Sequence, residues 1–310
     1  MKKFFPVLLI LLLFLLSSFL LKSFIFTKTL FAPEKISTKN FPSLLAKPQT
    51  SLIAVGDIML GRFVNVQILK AKDWRYPFLK TASLTSSADI TFGNLEAPFL
   101  DNCPTTETGM IFCGRPEAIE GLNFAGFDVL SLANNHILNY DQKGLDFTQK
   151  LLSSSDILYS PLTSPKDITK LVKNNLSFGF LSFDLVTYPH FSPIPQISQI
   201  SPTVDILIVS LHWGTEYQKN PTKEQVELAH QIIGAGAKII IGHHPHVTQP
   251  TEEYKNGLIF YSLGNFAFDQ SWSEETKKGN IAKIVFEGKN IKSFEEIPVY
   301  IEASQPRLTN

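Results

Sequence analysis

After residue 50 the chain is punctuated by seven apolar runs of six to nine residues, each bounded by glycine or polar residues. They are SLIAVG at 51–56, ADITFG at 88–93, FDVLSLA at 127–133, LSFGFLSF at 176–183, VDILIVSLH at 204–212, AKIIIG at 237–242 and GLIFYSLG at 257–264. Runs of this length without alternation predict strands buried on both faces. Between them, KEQVELAHQIIGAG at 223–236 has a helical period and a glycine stop. IAKIVFEG and IKSFEEIPVYIE, separated by a turn at Lys289-Asn290, predict a final antiparallel pair. The stretch from Tyr188 to Pro202 carries four prolines and reads as a surface loop able to act as a lid. Strands interleaved with helices predict an α/β fold.

The first fifty residues have a different pattern. Lys2 and Lys3 precede an apolar-and-serine run from Phe4 to Leu21. As a helix, that run would reach roughly 27 Å, close to the hydrocarbon thickness of a bilayer. Lys22 can snorkel, and Ser23 to Phe26 can extend the helix. An uncleaved anchor is favoured over a cleaved signal peptide, because no A-x-A-like site and no lipidation cysteine follows. Residues 27–50, rich in Lys, Thr, Ser and Pro, read as a stalk. The expected location is the cell membrane, crossed once, with the main domain extracytoplasmic.

Charge and cysteines refine this picture. The 310 residues carry 28 basic and 28 acidic side chains, a balance poorly suited to nucleic acid. Cys103 and Cys113 flank a Thr/Gly-rich loop. Outside the cytoplasm a local disulfide is favoured over free thiols, and the spacing does not suit a metal site.

The chemistry-bearing residues stand where predicted strands end. Asp57 follows the first, Asn94 and Glu96 the second, Asn134, Asn135 and His136 the third; His212, then His243, His244 and His246, then Asn265 follow later ones. In α/β sheets, sites form beyond the carboxyl ends of strands. Taken alone, Asp57 could be a turn or cap residue, Asn134-Asn135 ordinary turn chemistry, and His212 a satisfied core histidine. The His-His-Pro-His string is more telling, since it concentrates three of only seven histidines. In an extended segment, His244 and His246 would point the same way. Imidazole, carboxylate and amide together suit Zn, Mn or Fe. His190 and His230 receive no role.

The strings GDIMLGR, FGNLEAPF, GFDVLSLANNH with its trailing DQKGL, HWGTEY, GAKIIIGHHPHV and FYSLGNFAFDQ resemble the CapA family of poly-gamma-glutamate capsule synthesis proteins, over about residues 55 to 270. The resemblance implies a metallophosphoesterase-like sandwich of two mixed β-sheets flanked by helices, preceded by one transmembrane helix. The organisation expected is an anchor at 1–26, a stalk at 27–50, a domain at 51–302 and a tail at 303–310. Carried over by position, Asp57 and His246 would bind a first metal, Glu96 or Asn94 would bridge, and Asn135, His212 and His244 would bind a second. His136 would be a general acid and, with Asp57, catalytic. Arg62, Asn265 and Trp213 would line the substrate pocket. Met59 stands where a D-x-H motif has histidine, and Asn94 where an aspartate bridges. The first site is thereby weakened, so one divalent Mn, Fe or Zn ion is as consistent as two. Three functions follow from the resemblance: assisting synthesis or export of an anionic polymer together with other capsule-synthesis membrane proteins, hydrolysing phosphoesters or cell-wall amides with a metal, or serving as a non-catalytic scaffold.

Overall fold

The computed structural model describes residues 48–162 and 168–309. Along the chain lie strands β1 (Gln49–Ile58), β2 (Ile90–Leu95), β3 (Val129–Ser131), β4 (Leu158–Ser160), β5 (Thr169–Lys173), β6 (Leu176–Asp184), β7 (Ile206–His212), β8 (Ile239–His243), β9 (Thr251–Tyr254), β10 (Gly257–Phe260), β11 (Asn265–Ala267), β12 (Lys278–Glu287), β13 (Asn290–Glu302) and β14 (Gln305–Leu308). The helices are α1 (Arg62–Ala71), α2 (Ala82–Thr85), α3 (Ile119–Phe124), α4 (Asp141–Ser154), α5 (Ile194–Ile200) and α6 (Lys223–Gly234).

Strand β1 shows why the apolar runs lack alternation. Leu52 and Ala54 enter a core between two sheets, while Ile53 and Val55 enter a second core on the other face. Burial on both sides requires apolar residues at consecutive positions. The first sheet has the order β14-β13-β12-β1-β2-β3-β4, with β11 also paired to β1. The second has the order β5-β6-β7-β8-β10-β9. Strands β1 to β4 run parallel, as do β6, β7, β8 and β10.

The layers follow from the three cores. The central one joins Ile90 and Phe92 of the first sheet to Phe180, Ile208, Ile241 and Phe260 of the second. Phe92 stacks on Phe180 at 5.6 Å between centroids. The outer face of the first sheet is covered by α1 to α4 through Val64, Ile68, Leu122, Leu145 and Leu152. The outer face of the second is covered by α5 and α6 through Ile197, Ile200, Ala229 and Ile232. The result is a helix–sheet–sheet–helix sandwich, as expected.

Four boundaries differ from the sequence reading. The hairpin turn is Gly288-Lys289, because Glu287 pairs with Asn290 and Gly288 takes a φ of 59° that suits glycine. The proline-rich stretch is not all loop: Pro193 caps α5 and Pro195 sits in its first turn, where a missing N–H costs little. Residues 303–310, expected as a tail, include β14, which pairs with β13. Strand β1 begins at Gln49, inside the expected stalk. The expected anchor and the rest of the stalk lie outside the described residues. Among the described residues no helix is long and apolar enough to cross a membrane.

Candidate metal centre

Strand register assembles the site. In the first sheet Asp57 lies between Asn94 of β2 and Asn265 of β11. In the second sheet Asp184, His212 and His243 lie side by side. These are the carboxyl ends of parallel strands, where an α/β sheet opens a crevice. Two glycines make the approach close enough. A Cβ at Gly56 would lie 2.0 Å from the Gly264 carbonyl oxygen, and one at Gly242 would lie 1.9 Å from that of Tyr261. Each motif therefore opens with glycine just before its Asp57 or His243.

Asp57 is the hub. Its Oδ1 accepts from Asn94 Nδ2 at 2.9 Å and lies 3.0 Å from His243 Nδ1. Its Oδ2 accepts the His244 backbone N–H at 3.2 Å and lies 3.3 Å from His246 Nδ1. His246 Nε2 is 3.6 Å from Glu96 Oε1. Asn265 Oδ1 contacts His246 Nδ1 at 3.0 Å, and Asn135 Oδ1 contacts His212 Nε2 at 2.9 Å. Asn94 offers the site its amide nitrogen, while its oxygen accepts from Asn134. As placed, it spaces Asp57 from its neighbours and presents no oxygen to an ion.

His244 and His246 do not lie on an extended segment. Their φ angles are 93° and 57°, and both side chains reach the site through a tight turn. Left-handed backbone is costly for histidine and persists where surrounding bonds fix it. The Asp57 carboxylate holds one side of this turn, and the Tyr217 N–H donates to the Pro245 carbonyl on the other at 2.8 Å.

The donors form two groups whose ligand atoms lie within 4.8 Å of one another: Asp57, Glu96 and His212, and Glu216, His244 and His246. His246 joins the two groups, its Nδ1 3.3 Å from Asp57 Oδ2 and its Nε2 3.6 Å from Glu96 Oε1. Three buried polar atoms at the site, Glu96 Oε1, His243 Nε2 and His244 Nδ1, have no hydrogen-bond partner. Unpaired buried groups are costly, and imidazole with carboxylate is a ligand set for Zn, Mn or Fe. The residues thus fit a divalent metal.

Electrostatics point the same way. Burial opposes ionisation of Asp57, but hydrogen bonds from His243 and His246 hold its carboxyl well below the usual range. Burial and the Asp57 charge push Glu96 well above it. Burial would lower His246, yet Glu96 and Asp57 outweigh it and hold the imidazole up at about 9. Burial and neighbouring histidines lower His212 and His244. The proton that His246 holds occupies a place that a cation could take.

Above this floor opens a cleft of about 290 Å³ whose walls include Arg62, Met110, His136, Glu216, Tyr217 and Trp272. Burial pushes His136 down to about 4, so it is neutral at neutral pH. The Asn139 amide, 3.2 Å from Nδ1, can donate to that atom, a network that places the ring proton on Nε2. Nε2 stands 4.0 Å from Glu96 Oε1. Phe112, from the loop closed by the Cys103–Cys113 disulfide, packs on the His136 ring.

All three sequence-predicted pocket residues lie or bond differently: Asn265 is fully buried and engaged with His246, Gln270 and Thr276 rather than lining the cleft. Trp213 packs into the core beneath α6, and its indole N–H donates to the Tyr261 carbonyl. It is buried away from the cleft because the residue after His212 points to the opposite face. Arg62 does reach the cleft, but its Nε and Nη2 donate to Asp269 and its Nη1 to the Gly109 carbonyl, which leaves little for a ligand. Sequence reasoning counted His243 in the histidine string without making it a ligand, and did not single out Glu216. The signals were present, as His243 shares the histidine string and Glu216 follows His212 by four residues. Asp269 and Asn139 carry no comparable signal.

Comparison with known proteins gives matches over most of the chain. The family model described as bacterial capsule synthesis protein PGA_cap matches residues 51–190 and 192–270. The capsule biosynthesis protein CapA of Bacillus anthracis is 32% identical, over 83% of this chain and 69% of its own length. The PGA biosynthesis protein CapA of Bacillus subtilis (strain 168) is 31% identical, over 81% and 72%. Among solved structures, a novel phosphatase of Mycoplasma pneumoniae aligns with a TM-score of 0.53 at 17% identity, covering 82% of this chain and 94% of that one. At that identity the likeness shows the fold alone.

Proposed function

The chain belongs to the PGA_cap family of bacterial capsule synthesis proteins, and on that premise we propose that it serves the synthesis or export of an extracellular anionic polymer such as poly-gamma-glutamate through a metal-binding cleft. In this reading residues 4–26 anchor it in the cell membrane and its main domain faces outward, where other capsule-synthesis membrane proteins would work beside it. The observation that carries the reading is the convergence of Asp57, Glu96, His212, His244 and His246 in one buried cluster, from which His246 reaches the wall of an open cleft. The names of the two CapA relatives support the polymer.

Asp57, Glu96, His212, His244 and His246 would hold the ion. A divalent metal bound there would neutralise charge on an anionic substrate and lower the pKa of a bound water. The chain's own residues do the rest. Asn265 and Asn135 orient the imidazoles of His246 and His212. The closed floor keeps these groups out of bulk water. His136 presents an Nε2 proton to whatever enters the cleft.

The experiment is complementation. Deleting the gene should abolish surface polymer, the wild-type chain should restore it, and His244→Ala/His246→Ala should not, at equal protein level. Full restoration by the double variant would remove the metal cleft from the function. A second reading, active hydrolysis of a phosphoester or a cell-wall amide, is favoured by the place of His136, on the cleft wall with Nε2 4.0 Å from Glu96. His136→Ala should then abolish turnover with Mn or Zn while metal content stays unchanged. A wild-type chain that turns over neither class of substrate returns the account to binding alone.

A further inference from the structure

We propose that the cleft receives the amino end of an anionic chain, with the terminal ammonium set among the Glu107 and Glu216 carboxylates and the rings of Tyr217 and Trp272. This rests on the polymer reading and deepens it, by naming the part of the polymer that enters. Each interior residue of a γ-linked glutamate chain presents a carboxylate and no cation. The amino end presents a carboxylate beside an ammonium, which is the polymer's positive charge at neutral pH.

Charge argues against the interior of such a chain. The cleft walls carry the carboxylates of Glu107, Glu216 and Asp269, with Arg62 as their guanidinium. Arg62 is engaged by Asp269 and the Gly109 carbonyl, and the Phe112 and Phe268 ring centres lie 4.6 and 5.7 Å from its guanidinium carbon. His246 lies 3.3 Å from Asp57 and 3.6 Å from Glu96, so any charge on it is answered inside the buried cluster. Lys219, close to Glu216 in sequence, pairs with Glu275. Among the described residues no lysine or arginine forms an ion pair with Glu107 or Glu216. A row of carboxylates entering this cleft would meet like charge, whereas an ammonium would meet its complement.

The aromatic wall favours the same group. Trp272 is 62% exposed and Tyr217 41% exposed, and their rings meet edge to face with centroids 4.7 Å apart. Both line the cleft, so ring surface stays open to it. Aromatic faces attract ammonium groups through the ring quadrupole. The Tyr217 hydroxyl bonds the Glu216 carboxylate, which keeps further lone pairs for an incoming N–H. Ring and charge are thus presented side by side. Their position is fixed before a ligand arrives. The Tyr217 N–H donates to the Pro245 carbonyl, Gln249 Nε2 to the Gln218 carbonyl, and the Thr276 hydroxyl to the Gln270 carbonyl across the turn that bears Trp272. Size agrees. The cleft of about 290 Å³ stands at the lower limit for binding pockets, roughly 300–1,000 Å³, and suits a chain end better than a passing stretch.

The test uses two probes, γ-linked triglutamate with a free amino end and the same peptide N-acetylated. Each is titrated by calorimetry into the full chain in detergent at pH 7, where an α-amino group is largely protonated. The ratio of the two affinities is the readout, because contacts to carboxylates are common to both probes. The free peptide should bind about tenfold more tightly than the acetylated one. Trp272→Leu, Glu107→Gln and Glu216→Gln should each cut that ratio by about threefold or more. Their melting temperatures should match the wild type, since none of the three side chains is buried. Long poly-γ-glutamate should compete in proportion to its chain ends. A wild-type ratio near one overturns the proposal and leaves the polymer reading standing. A ratio that none of the three variants moves also overturns it, as does competition in proportion to residues. A chain that binds neither peptide removes the polymer reading together with the proposal, which separates the two failures.

Discussion

At the residue scale, the site turns on Asp57. Its carboxylate orders Asn94, His243, the His244 backbone and His246 at once. Asp57→Asn removes the charge that balances His246 and turns an acceptor into a donor facing Asn94. The metal-free fold should lose about 1–3 kcal/mol, the cost of leaving buried polar groups unpaired, measured as a shift in urea midpoint at unchanged slope. Mn²⁺ affinity should fall by more than tenfold. An unchanged midpoint would show that Asp57 does not hold the cluster. Much of this was legible in the sequence, because Asp57, Glu96, His136, His212, His244 and His246 stand where apolar runs end. The geometry of the histidine string was not. Two residues apart suggests an extended segment, but Asp57 and Tyr217, distant in sequence, bond the turn into a left-handed shape that spacing does not encode.

At the element scale, pairing depends on side chains at strand ends. Asp205, just before β7, receives Lys289 Nζ at 2.7 Å, and its Oδ2 accepts the backbone N–H and hydroxyl of Ser177 in β6 at 2.8 Å each. Lys289 and Ser177 hold its carboxyl down at about 2. A group with a depressed folded pKa stabilises above its unfolded value, near 4, and loses that contribution as pH falls through its folded value. The unfolding midpoint in urea should therefore fall between pH 5 and pH 2. Asp205→Asn should remove a measurable part of that fall, and identical pH profiles would contradict the assignment. The Cys103–Cys113 disulfide closes the loop that carries Met110 and Phe112 to the cleft wall. Cys103→Ser/Cys113→Ser should lower stability by about 2–3 kcal/mol for a loop of this length, seen as a lower melting temperature. Non-reducing mass spectrometry should find the two peptides joined and two hydrogens lighter than the free thiols.

At the scale of the whole molecule, two sheets close on one apolar layer while the ends of their parallel strands meet at one polar crevice. Phe92 stands at the junction, packed on Phe180 beneath His243. Phe92→Ala should cost about 3–5 kcal/mol, with metal affinity falling as the sheets lose their spacing. Retained stability would mean the central layer repacks freely. The α/β class and most strands were legible because burial on both faces leaves continuous apolar runs. The pairing of β11 with β1, which brings Asn265 to Asp57, was not, since non-local register leaves no local periodicity. The most direct measurement is anomalous diffraction at the Mn absorption edge from crystals grown with Mn²⁺. The account predicts density within bonding distance of Asp57, His212, His244 and His246 in one crevice. Crystals with no anomalous peak there, at millimolar Mn²⁺ and with ordered side chains, would contradict it.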